Sequence, residues 1–327
     1  MIYPWQHTYW QQLMEHWSHN PHAWLFYGSA GIGKYTFAKY LAQALLCEQP
    51  LADHQPCLQC HSCVLFAQNS HPDLLMITPE ETAGNERKRS LIKVEEVRRI
   101  WDFAHLTAHR GGNRVIFIYP AEYMNMQAAN ALLKILEEPP AGVVFILVSH
   151  HKDRLIATIK SRCRQIALPL PSATEALAFV QQQHGDQAEA LLAFHGGTPI
   201  FTEIEQHSQL RIELLHLLAK PRLLAILNYA YRFDQQKLAL ATFLDWLGKW
   251  LLDLALTQQN QLARYYPQQQ DQLNQVAVRS QPLALFALID RLNKLSPYGQ
   301  HTLNVKMQLE DLLIDYLALW QGKTNHH

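Results

Sequence analysis

The sequence has no surplus of charge: Lys and Arg number 28, and Asp and Glu number 28. That balance does not fit the strongly basic body of an autonomous, tight DNA-binding domain, and it leaves assembly into a larger complex open. Long apolar runs are missing too. None reaches the roughly 18 residues that a spanning helix needs, which argues against a membrane partner. The opening MIYPWQHTYW is polar and aromatic and does not read as a signal peptide. The expectation is a cytoplasmic protein. Cysteine is sparse, at five residues. In a reducing compartment those five need a reason other than disulfides. No internal repeat is visible. The Gln-rich YYPQQQDQLNQ is short and reads as a helix start or loop rather than a low-complexity tract.

What is present is enough for two or three domains: 327 residues, 48% of them hydrophobic. Residues 23 to 27, AWLFY, form a short apolar strand that runs into GSAGIGKYT. Apolar residues at helical spacing follow, in TFAKYLAQALLC. Strand, glycine loop and helix make the setting of a phosphate-binding loop, G-x-x-x-x-G-K-[ST]. Gly28, Gly31, Gly33 and Lys34 supply its glycines and lysine. Backbone N–H groups and the helix start would cradle phosphate, and Lys34 would reach the outer phosphates.

The residue after the lysine should bring a hydroxyl to Mg²⁺, and it is Tyr35, whose phenol is too long. Thr36 comes one residue late. A later strand should end in an acidic pair that holds the metal and activates water. That strand, VIFIY at 115 to 119, is followed by Pro120. Tyr119 and Pro120 stand where the acids belong, and Glu122 is the one nearby carboxylate. Ser149 and His150 close the next strand and stand where a polar sensor would. These losses agree with one another. No catalytic Mg²⁺ is expected, so efficient hydrolysis is not. Two readings of the loop stay open: residual ATP or ADP binding, and a loop kept only for its fold.

Further strands are expected at LLMI (74 to 77), VVFILV (143 to 148) and RQIAL (164 to 168). Helical patterns separate them: KVEEVRRIWDFAHL, MQAANALLKILEE and DRLIATIKSR. This alternation predicts an α/β fold with a parallel sheet covered on both faces. From residue 171 on there is no convincing strand. The expected domains are an α/β domain at 1–170, a small helical lid at 171–205 and a helical collar at 206–327.

Four cysteines, Cys47, Cys57, Cys60 and Cys63, are spaced C-x9-C-x2-C-x2-C. Short C-x2-C knuckles wrap a tetrahedral ion, and four thiolates favour Zn²⁺ in a closed, structural site. Replacement of one thiol by His54 or His61 is a minor variant. Cys163 stands apart and reads as a small core residue.

These pieces meet in one family. AANALLKILEEPP, then VVFILVSHHKDRLIATIKSRCRQIAL, and HPDLLMITPE resemble bacterial DNA polymerase III clamp-loader subunits of the AAA+ class. The cysteine cluster after the loop helix matches as well. The likeness is strong over residues 1 to about 170. It implies an AAA+ P-loop domain with a zinc insertion, a lid and an oligomerising collar. It also implies partnership with gamma/tau motor subunits and a delta subunit, and contact through the complex with a sliding clamp and primer-template DNA. The degraded metal residues point to a non-hydrolysing member rather than the gamma/tau motor. The resemblance gives the SRC motif, Ser161, Arg162 and Cys163, a role: Arg162 as an arginine finger offered in trans to a neighbour's ATP. Arg164 is a decoy with an expectedly solvated side chain. A second-sensor arginine is missing from HGGTPIFTE (195 to 203).

Two alternatives remain: a true ATPase motor using Thr36 and Glu122 in displaced roles, and a zinc-dependent nucleic-acid-binding protein. The basic knot ERKRS (86 to 90) could touch phosphates but reads first as a solvated loop. Lys93, Arg98 and Arg99 are explained by helical pairing with Glu95 and Glu96. Glu137 and Glu138 read as a helix-to-strand turn.

Overall fold

A computed structural model describes residues 2–15, 17, 21–79, 91–109, 112–201, 205–296 and 304–321. ERKRS, His326, His327, and parts of HRGGNR and HGGTPIFTE lie outside the described residues. The described residues divide into two compact units, one up to residue 175 and one from residue 176 on.

The first unit runs α1 (His7–Met14), β1 (Ala23–Tyr27), α2 (Lys34–Leu46), α3 (His61–Ala67), β2 (Leu74–Ile77), α4 (Val94–His105), β3 (Arg114–Ile118), α5 (Met126–Glu137), β4 (Val143–Ser149), α6 (Ala157–Arg162) and β5 (Arg164–Ala167). The strands form one parallel sheet in the order β2-β3-β4-β1-β5. Alternate residues face opposite sides. Trp24, Phe26, Phe117, Ile146 and Val148 pack with α1 and α2. Leu25, Ile116, Ile118, Phe145 and Leu147 pack with α4, α5 and α6. Burial on both faces explains why the strands read as unbroken apolar runs. The α/β fold expected from the sequence, a parallel sheet covered on both faces, is thus the one observed.

Local chemistry sets the element ends. Asn125 caps α5 by accepting the Ala128 N–H at 2.8 Å. The strand expected at 115–119 stops at Ile118, because Pro120 has no N–H with which to extend the ladder. The single helix expected over DRLIATIKSR is broken. A 3₁₀ turn covers Lys152–Arg154, Leu155 and Ile156 are extended, and α6 begins at Ala157. The extended pair lets Leu155 reach the core, where it is buried.

The His-Pro-Asp turn before β2 does more than turn the chain. Asp73 accepts the His109 N–H at 2.9 Å and faces the buried Arg114 guanidinium at 3.6 Å. Arg114 also donates to the carbonyls of Phe103 and Leu106 and lies over the Phe103 ring, 4.3 Å from its centre. Two carbonyls, a carboxylate and a ring thus surround this buried cation, though its Nε has no hydrogen-bond partner among the described residues.

The second unit holds α7 (Ala173–His184) from Ala176 onward, α8 (Ala188–Phe194), α9 (Glu205–Ala219), α10 (Leu223–Gln235), α11 (Leu240–Gln258), α12 (Gln270–Arg279), α13 (Pro282–Leu295) and α14 (Val305–Gln321). No strand occurs among its described residues. Ala176, Val180, Ala188 and Leu192 make a small core of their own. Phe194 instead joins the large core of α9 to α14. There Trp250 donates to the Tyr316 hydroxyl at 3.0 Å, and Tyr316 donates to the Leu218 carbonyl at 2.8 Å.

Asp253 on α11 is fully buried and accepts the backbone N–H groups of Arg264, Tyr265 and Tyr266 at 2.7 to 3.1 Å. Burial raises its carboxyl above the ordinary range, against the pull of those donors. Replacing Asp253 with Ala strands three N–H groups. At about 1–3 kcal/mol for each unsatisfied buried group, a loss of at least ~3 kcal/mol is expected in a urea melt. Asn, which keeps one acceptor oxygen, should lose less.

Candidate functional site: a phosphate loop without its metal ligands

The loop between β1 and α2 has the backbone of a phosphate cradle. Gly33 caps α2 with φ +86°. A Cβ on Gly33 would lie 2.6 Å from the Tyr3 ring, and one on Gly28 would lie 2.5 Å from the Leu168 carbonyl oxygen. Only glycine fits at either place. Trp5 Nε1 and Gln6 Nε2 both donate to the Ile32 carbonyl, at 3.1 and 3.0 Å. The N-terminal segment therefore fixes the Ile32–Gly33 peptide from outside.

Lys34 opens α2 and is almost wholly buried. Its ammonium donates to the Ser29 carbonyl and meets His150 Nδ1 at 3.0 Å. Burial draws its pKa down to about 8, with Glu122 pulling the other way. His150 Nε2 lies 3.1 Å from the Tyr119 hydroxyl, and the His150 N–H donates to Glu122 Oε1 at 2.9 Å. Glu122 Oε2 is buried with no hydrogen-bond partner among the described residues.

Tyr35 packs edge-on to Phe117, with centroids 5.6 Å apart, and at a tilt to Tyr119, 4.8 Å away. Burial raises its phenol above the ordinary value. The two places that should hold Mg²⁺, after the lysine and after β3, are thus filled by two tyrosines in contact. Thr36 lies about 100° further round the helix.

Ser161 and Arg162 end α6, and Cys163 leads into β5. Ser161 Oγ and Arg162 Nη1 both donate to the Thr158 carbonyl, at 3.0 and 2.9 Å. Arg162 Nη2 pairs with Glu137, and the Arg162 side chain is 32% exposed. Cys163 is buried, which pushes its thiol up to about 12. Arg164 is not simply solvated. Its guanidinium lies 5.2 Å from the centre of the Trp24 ring, a cation–π position that covers the edge of the sheet.

Cys47 closes α2, Cys60 caps α3, and the sulfurs of Cys47, Cys57, Cys60 and Cys63 all lie within 4.8 Å of one another. Cys47 to Cys57 is 3.6 Å and Cys47 to Cys60 is 3.9 Å. Four sulfurs about 2.3 Å from one ion would sit about 3.8 Å apart, so the quartet fits a tetrahedral metal. Backbone N–H groups of Gln59 and Cys60 draw the Cys57 thiol down to about 6, while burial raises Cys47 and Cys63. His54 is turned away, stacked on Trp17 at 4.7 Å, so the set is four thiols.

A family profile described as "DNA polymerase III, delta subunit" matches residues 5–172, nearly the whole sheet-bearing unit. A DNA polymerase III subunit delta' of Pseudomonas aeruginosa is 44% identical over 203 residues, which is 61% of this chain and 60% of that relative. One from Yersinia pestis is 31% identical over 98% of this chain and 95% of its own length. The chain belongs to the delta-prime family of DNA polymerase III subunits. A DNA polymerase III subunit gamma of Buchnera aphidicola is also similar, 35% identical over 49% of this chain and 42% of that relative. A Thermotoga maritima gamma-subunit-related structure covers 95% of this chain and 99% of its own, at 17% identity and TM-score 0.42. That likeness carries no weight beside the sheet order.

In this delta-prime family member the loop, the cysteines and the SRC motif are legible in the sequence, whereas the hold of Trp5 and Gln6 on the loop has no local signal. Nothing local to His150 marks it as the partner of Lys34, 116 residues away. The motif Arg99–Glu96 pair forms as expected, at 3.0 Å. No described helix is long and apolar enough to cross a membrane.

From metal-replete medium the chain should carry one tetrahedral ion, measured by plasma emission. Cys60→Ala should lose it. A wild-type chain whose melting curve is unmoved by a strong chelator would count against the site.

Proposed function

We propose that the chain is the ATPase-deficient stator of a clamp-loader complex, presenting Arg162 to ATP held by a neighbouring gamma/tau motor subunit. The observation that carries this reading is the contact of Tyr35 with Tyr119. It fills the place of the metal ligands with two phenols and leaves no carboxylate poised for water among the described residues. Glu122, the one candidate, is engaged by the His150 N–H. A displaced motor role for Thr36 and Glu122 is disfavoured on the same ground.

Likeness to the delta-prime family supports the remaining roles. The four cysteines would hold Zn²⁺, which would order residues 47–63 without supplying catalysis. Residues 171–205 would act as a lid and 206–327 as the collar that joins the subunits. Partners would be gamma/tau and delta, with the sliding clamp and primed DNA met through the complex, in the cytoplasm. The SRC arginine suits its part. A guanidinium is always charged and offers a rigid fork of donors. Brought to a transferring phosphate from next door, it offsets the charge that spreads as the bond breaks. Its anchorage supports this: the Thr158 carbonyl and Glu137 orient the side chain while it remains partly exposed.

The isolated chain, given ATP and Mg²⁺, should show no turnover at motor rates. In a complex reconstituted with motor and delta subunits, Arg162→Ala should leave assembly intact. It should slow turnover at the site it faces by about 10³-fold, the lower range for a finger in trans. Wild-type rates from that complex would refute the assignment.

A further inference from the structure

We propose that His150 is a latch that holds Lys34 away from phosphate, so that this loop is kept nucleotide-silent by a removable internal contact and not only by its lost metal ligands. The loop itself is built to receive an anion. Its glycines have the left-handed backbone of a cradle, with Gly31 at φ +76° and Gly33 at +86°. The double hold of Trp5 and Gln6 on the Ile32 carbonyl fixes that shape. What is diverted is the lysine. Instead of extending over the cradle, it turns back to the Ser29 carbonyl at the start of the loop and across to His150 beyond β4.

The chemistry of the contact defines the state of the ring. A lysine ammonium can only donate, so Nδ1 must accept and the imidazole must be neutral. The proton then sits on Nε2, which points at the Tyr119 hydroxyl 3.1 Å away. The backbone behind the ring is pinned too, because the main-chain N–H of His150 donates to Glu122. Tyr119 is in turn packed against Tyr35. The residues that replaced the metal ligands therefore also brace the latch. Glu122 adds a negative charge near the ammonium, so the buried cation is compensated without any phosphate.

This proposal rests on the reading of the loop as non-hydrolysing, and the two fail separately. Magnesium-dependent turnover by the wild-type chain would sink that reading. The latch is tested by calorimetry with inorganic tripolyphosphate, which probes the cradle without a base site, and with metal-free ADP. His150→Ala should bind tripolyphosphate at least about ten-fold more tightly than wild type, the worth of one charge-assisted hydrogen bond. Adding Lys34→Ala should abolish the gain. Equal binding by wild type and His150→Ala, or a gain that survives Lys34→Ala, overturns the latch. Tyr119→Phe keeps the ring packing and frees only one side of the imidazole, so a smaller gain is expected. Nitrogen-15 NMR of the wild-type chain near pH 7.5 gives a reading independent of ligand. A neutral ring protonated on Nε2 is expected, and a proton on Nδ1 overturns the proposal.

Discussion

The arrangement depends on a parallel sheet buried on both faces. Neither side of the sheet can be left to water, so helices must cover each. Every crossover then returns the chain in the same direction, and the carboxyl ends of the strands gather along one edge. The glycine loop leaves β1 there, Tyr119 follows β3, and Ser149 and His150 close β4. The apolar contacts of Leu25, Ile116, Phe145 and Leu147 thus fix which polar groups can meet. The site is a consequence of strand order.

At that edge one buried cation has to be satisfied. In a working phosphate loop the nucleotide and its metal would share that burden. Here Lys34 is met by the Ser29 carbonyl, the His150 ring and the nearby charge of Glu122. Two tyrosines fill the space that a hydrated metal would need. Under the proposed non-hydrolysing reading, each missing catalytic group is matched by a packing or hydrogen-bonding contact. A loop whose lysine is met from within suits a subunit whose proposed contribution lies elsewhere, in the partly exposed Arg162 at the end of α6. The cysteine quartet belongs to the same logic. A helix cap, a loop and a two-residue knuckle carry little apolar surface, and a shared ion would hold them.

Much of this was legible in the residues. AWLFY before GSAGIGK told strand from loop, and the alternation of elements told the sheet type, because those signals depend on neighbours in sequence. The C-x9-C-x2-C-x2-C spacing told the quartet for the same reason. The SRC motif was legible only through resemblance, since nothing in its three residues demands a partner in trans. Other features were not legible. DRLIATIKSR has helical spacing throughout, yet Leu155 is pulled into the core and breaks it. Arg164 looked solvated, yet the adjacent strand brings Trp24 beneath it. Nothing near Asp73 in the chain announces Arg114, which it meets inside the fold.

By itself the sequence determined the nature of the loop, the absence of its metal-binding acids and hydroxyl, and the four thiols. These are properties of residue type and short spacing, which the covalent chain carries into any fold. Only the tertiary structure decided that Lys34 is answered by His150, that Tyr35 lies on Tyr119, and that Glu137 steadies Arg162. Those pairs join residues far apart along the chain, and their meeting depends on which strands lie side by side and which side chains the two cores leave at the edge.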